Sequence, residues 1–187
     1  MKRYVALGAA LLIVCGSLIA AERSGLQPGQ AIGPFEVTKV GGAPNDDVAV
    51  GKELCYRCKY GSRPMVMIFT RNSDEKLVGL VKQIDSAIAK NSDAQLRAFV
   101  NVMADDKASA EATAKALTSQ NLANVPVVIP VDYQNGPGNY SLNPQAQVTV
   151  IIANSNKVEA NHTFEAGLSC DSCIESIMTD VTKLTAK

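Results

Sequence analysis

Apolar and polar positions along this chain change period in a regular order, and the order predicts alternating strands and helices. Met65-Val66-Met67-Ile68-Phe69-Thr70 is an almost unbroken apolar run, the pattern of a strand covered on both faces. Leu77, Leu80, Val81, Ile84 and Ile88 then recur at helical spacing, with Ser73 or Asp74 as the expected cap. Ala98 to Met103 predicts the next strand, and Asp105-Asp106 opens an Ala-rich helix reaching about Gln120. Strand, helix, strand, helix implies parallel strands joined by right-handed crossovers.

On either side the pattern is less regular. Phe35 to Val40 predicts a short strand ended by Gly41-Gly42. Val125 to Val131 is apolar but flanked by Pro126 and Pro130, which places it at a sheet margin. Val148 to Ala153 and Lys157 to Phe164 bracket Asn154-Ser155-Asn156 and predict a hairpin. A last helix carries Ile174, Ile177, Met178, Val181 and Leu184, with Ser172 and Glu175 spaced as a capping box. The expected class is α/β, a mixed central sheet with flanking helices that closes on a hairpin and a helix.

The first residues alter the picture. Met1-Lys2-Arg3 is basic, Tyr4 to Val14 is apolar, and small residues precede Glu22 and Arg23, the layout of an export signal cut after Ala20 or Ala21. The apolar stretch is short for a membrane helix, which needs about 20 residues. The expected organisation is therefore a signal over residues 1–21 and one domain over 22–187, exported to a periplasm or the extracellular space, with no stable membrane span after cleavage. An uncleaved signal, or lipid attachment at Cys15, would anchor the protein instead. Eighteen basic residues balance eighteen acidic ones, and no basic run or aromatic platform supports nucleic-acid binding.

Five cysteines become four once Cys15 leaves with the signal, and they form two pairs, Cys55-Tyr56-Arg57-Cys58 and Cys170-Asp171-Ser172-Cys173. In an oxidising compartment such pairs serve exchange chemistry, structural disulfides or metal. Lys52, Arg57, Lys59 and Arg63 surround the first pair, and positive charge favours the thiolate that exchange needs. No helix start is legible at Cys55. The second pair straddles a helix start, but Asp171 between its cysteines opposes ionisation. Four thiolates could also hold zinc, drawing on Cys55, Cys58, Cys170 and Cys173. His162, the single histidine, is expected to be an ordinary strand residue. Bridges between the pairs would stabilise by about 4–5 kcal/mol each, against about 2 for a local ring, so bracing favours cross-pairing and redox chemistry favours the local ring.

The order of elements resembles the thioredoxin-like superfamily, in particular its redoxin and peroxiredoxin-type branch. Gln27 to Phe35 resembles the Pro/Gly-rich redoxin opening, Phe99 to Asp106 a core strand with its acidic exit, and Asn124 to Asp132, then Tyr140-Ser141-Leu142, the stretch before the terminal hairpin. The resemblance implies a three-layer fold over residues 26–187. It also implies a reactive cysteine after the first core strand, where this chain has Thr70-Arg71-Asn72-Ser73-Asp74-Glu75-Lys76. Gln145-Ala146-Gln147 stands where the family has a cis-proline. Conventional peroxidase chemistry is therefore not expected. Two readings follow: a dithiol oxidoreductase using Cys55 and Cys58 on a protein thiol or disulfide partner without a cofactor, or a catalytically silent binding module with bracing disulfides.

Overall fold

The computed structural model describes residues 24–186. The predicted export signal, Cys15 included, lies outside the described residues. Seven strands form one sheet: β1 (Val37–Gly41), β2 (Glu53–Leu54), β3 (Met65–Thr70), β4 (Arg97–Val102), β5 (Val127–Pro130), β6 (Val148–Asn154) and β7 (Lys157–Phe164). The helices are α1 (Tyr56–Tyr60), α2 (Glu75–Lys90), α3 (Lys107–Thr118) and α4 (Asp171–Thr185). Spatial order across the sheet is β2-β1-β5-β4-β3-β6-β7. β3, β4 and β5 run parallel, and the remaining pairings are antiparallel.

Alternation along β3 divides the core in two. Val66 and Ile68 face α2, α3 and α4, meeting Leu77, Leu80 and Ile84, then Ala114 and Leu117, then Ile177 and Val181. Met65, Met67 and Phe69 face the other way, into an aromatic cluster with Phe99, Tyr56, Tyr60 and Tyr140. Full burial of each such side chain contributes roughly 1.5–3 kcal/mol. The α2 stripe read from the sequence is buried throughout. Asp74 is its cap, its Oδ1 accepting from the Leu77 N–H at 2.8 Å.

Among the described residues, the second face has no long helix. The connection from β5 to β6 carries only a 3-10 turn at Gly138–Tyr140, and aromatic packing covers the sheet instead. The Tyr140 hydroxyl donates to the Gly33 carbonyl at 2.8 Å, and its ring meets Phe35 edge-on at 4.9 Å. α1 completes this thin third layer.

Two expectations are corrected. β5 lies inside the sheet, between β1 and β4, and not at its margin. Pro126 precedes the strand and Pro130 ends it, so the donors of Val127 to Ile129 stay free for the ladder. The last helix starts at Asp171 with Cys170 as its N-cap, two residues earlier than a Ser172 cap would place it. The Cys170 side chain makes no capping bond. Cys173 packs against the helical-face core, which draws the cysteine-bearing turn into the helix.

Candidate functional site

Cys55 and Cys58 close a local disulfide with Cα atoms 5.2 Å apart. Cys55 caps α1, a helix the sequence reading did not find, and its Sγ accepts the Cys58 N–H at 3.0 Å. The capped turn exposes Cys58 and leaves Cys55 half-buried. The remaining faces of α1 hold it in place. Tyr56 and Tyr60 are buried on the aromatic side of the sheet, where Tyr56 stacks on Phe99 at 5.7 Å.

Beneath α1 lies a polar network that the sequence reading missed. Lys39 of β1 is only 2% exposed, so its ammonium needs full compensation. Its Nζ donates to the Asp46 carboxylate at 2.6 Å, to the Ala43 carbonyl at 3.0 Å and to the Val48 carbonyl at 2.9 Å. The other Asp46 oxygen accepts from the Tyr56 hydroxyl at 2.5 Å. A buried lysine, the loop after β1 and the residue between the two cysteines are thus one unit. Burial first, and then the bond to Asp46, pushes the Tyr56 phenol well above its ordinary range. Gly42 starts the loop at φ +69°, and a Cβ there would stand 2.3 Å from the Val125 carbonyl oxygen, so the turn into the network requires glycine. The available signal was Lys39 itself, in register with Val37 on a buried face.

Cys170 and Cys173 close a second local ring, Cα to Cα 5.3 Å. Both are half-buried, and the Ser172 hydroxyl lies 3.4 Å from the Cys170 sulfur. This pair stands near the start of α2, the position where the thioredoxin-like resemblance implies a reactive cysteine. Gly167 packs beside Asn72 and Asp74 at the start of α2, and Lys76 forms an ion pair with Asp171. The usual position itself holds no thiol: Asp74 caps α2, and Arg71 donates to the Gln134 carbonyl.

The two rings belong to opposite faces of the sheet, Cys173 to the α2/α4 side and α1 to the aromatic side. Four sulfurs on one tetrahedral zinc would each need to lie about 2.3 Å from it. Cys55, Cys58, Cys170 and Cys173, the four residues considered for zinc, stand instead in two separate local rings with the sheet between them. His162 pairs with Asp180 of α4 at 2.9 Å, tying β7 to the last helix.

Sheet order, helix placement and the terminal hairpin with its helix define a thioredoxin-like fold. No family model and no curated protein matches the sequence. Among solved structures, a putative thiol:disulfide interchange protein, DsbE, from Chlorobium tepidum superposes with a TM-score of 0.58 at 10% identity, covering 86% of this chain and 99% of that one. AhpC from Mycobacterium tuberculosis gives 0.59 at 11% identity, with 85% and 98% covered. An uncharacterised thioredoxin-like protein from Porphyromonas gingivalis gives 0.54 at 20% identity, with 86% and 95% covered. At these identities the likeness is one of fold. No helix among the described residues is long and apolar enough to cross a membrane.

Proposed function

We propose that this protein is an exported thiol–disulfide oxidoreductase whose working pair is Cys55–Cys58. The observation that carries the reading is an exposed cysteine joined to a half-buried one whose sulfur already accepts a backbone N–H. A partner thiolate attacks Cys58 Sγ, a new sulfur–sulfur bond forms, and the Cys55–Cys58 bond breaks with its electron pair on Cys55 Sγ. The Cys58 N–H and the neighbouring basic residues steady that thiolate. The partner's second thiolate then attacks its own sulfur and releases Cys58. The partner dithiol is oxidised by two electrons and the protein disulfide is reduced by two. Cys170–Cys173, with both cysteines half-buried and an aspartate between them, acts as a brace.

Export supplies the oxidising surroundings in which both rings form. The test assays exported protein, its intact mass reporting cleavage after Ala20 or Ala21, against a dithiol reporter peptide. Cys55→Ser and Cys58→Ser are expected to lose at least about tenfold in exchange rate, since the disulfide-forming partner sulfur is gone. Given the reporter in its disulfide form instead, Cys55→Ser should form a mixed disulfide through Cys58, the reporter's own sulfur–sulfur bond breaking as the new one forms. A variant lacking Cys170 and Cys173 should retain the rate. Equal rates in all variants would sink the proposal and leave the second reading, a silent binding module, which the capped and thiol-free start of α2 favours.

A further inference from the structure

Against α1, which carries Cys58, lies a cavity that the exchange step does not require. It holds about 470 Å³, within the size range of small-ligand sites. Lys59 of α1, Arg63 just beyond it and Arg97 at the start of β4 bring three positive charges to its walls. The two arginines meet neutral hydrogen-bond partners. Arg63 donates to the Gln95 side-chain oxygen at 3.2 Å and to the Tyr60 carbonyl at 3.4 Å, and Arg97 donates to the Leu96 carbonyl at 3.2 Å. The ion pairs among the described residues involve Lys39, Arg71, Lys76, His162 and Lys183, and none of these three cations.

Two carboxylates also line the cavity, Asp46 and Asp47. Asp46 is already matched by Lys39 and holds the Tyr56 hydroxyl and the Val48 N–H. Asp47 alone therefore opposes three cations. Lys59 and Tyr60 of α1 line the cavity, and Lys59 directly follows the exposed Cys58, so one wall is built by the helix that carries the residue a partner would attack. Arginine forks match carboxylates in a geometry that lysine or a solvated surface charge does not.

We infer that this cavity receives the carboxylate side chains of an acidic cysteine peptide whose thiol exchanges with Cys55–Cys58, an inference that rests on the redox reading of that pair. Bound carboxylates would place the peptide thiolate at Cys58 Sγ. The exchange is the one already written: the peptide sulfur bonds to Cys58, and the electron pair leaves on Cys55.

The test uses oxidised full-length protein at low salt and three blocked tripeptides, Glu-Cys-Glu, Gln-Cys-Gln and Lys-Cys-Lys. Reduction rates of the Cys55–Cys58 ring are corrected to thiolate concentration. Glu-Cys-Glu should react about tenfold or more faster than Gln-Cys-Gln, with Lys-Cys-Lys slowest, and the advantage should fall as salt is raised. In Arg63→Gln/Arg97→Gln the ratio of the first two rates should approach one. Lys59→Gln, an exposed substitution that spares the fold, should lower the ratio part of the way. Equal rates for the three peptides, or an advantage that survives in the double variant, would overturn the inference while leaving the redox reading intact. If no peptide reduces the ring faster than it reduces an unstructured Cys-x-x-Cys disulfide, the redox reading fails and this inference with it.

Discussion

Tyr56 joins the chemistry to the core within one side chain. Its ring is fully buried against Phe99 and Tyr60, while its hydroxyl reaches Asp46. Tyr56→Phe keeps the packing but leaves a carboxylate oxygen without its donor, and should cost about 1–3 kcal/mol in urea unfolding. The pH dependence has a definite sign. Burial raises the phenols of Tyr56, Tyr60 and Tyr140 above the ordinary value, with Asp46 adding to the rise for the first two. Their stabilisation is fully present below the usual phenol pKa of about 10. It is lost as pH climbs from there towards the raised folded values, because only the unfolded chain releases its protons. Alkaline denaturation should therefore be shallower in Tyr56→Phe than in the wild type. Nothing in the spacing of Lys39 and Asp46 announced that they would meet, because a loop brings them together and loops carry no period.

At the scale of elements, what the sequence revealed depended on length. The sixteen-residue α2 shows its buried stripe without ambiguity, and β3, β6 and β7 follow from apolar runs around a polar turn. α1 has five residues, too few to show a helical period, and its start is set by a cysteine sulfur accepting an N–H. β5 looked marginal because two prolines flank it, yet both stand where no ladder donor is lost. The start of α4 was misplaced because Ser172 and Glu175 imitate a cap, whereas Cys170 precedes the first turn. For α2, the carboxylate at the usual thiol position is a cap. Asp74→Ala should lower stability by about 0.5–2 kcal/mol in denaturant titrations. Exchange by Cys55–Cys58 should stay unchanged in the same protein. A large loss of exchange would give Asp74 a part in chemistry that its bond to Leu77 does not suggest.

Across the whole molecule, the sheet separates the two sulfur pairs and each closes on itself. Local rings restrict the unfolded chain little, about 2 kcal/mol apiece before strain, where bridges between the pairs would give about 4–5 each. Full reduction should thus leave a cooperatively folded protein, weakened by no more than about 4 kcal/mol in urea unfolding. Collapse of the fold on reduction would mean that the rings do more than the core beneath them. That independence suits a protein that passes through both redox states, since the sheet and its two cores are shared by each. Ring size also decides how the chain would answer a mechanical load. Between Ser24 and Ala186, each closed ring hides only the stretch between its own cysteines, on the order of 10 Å of extended backbone. Oxidation therefore gives the molecule almost no tether against pulling: its tensile resistance lies in the strand ladders, and its fully drawn length is nearly the same with either pair open or shut.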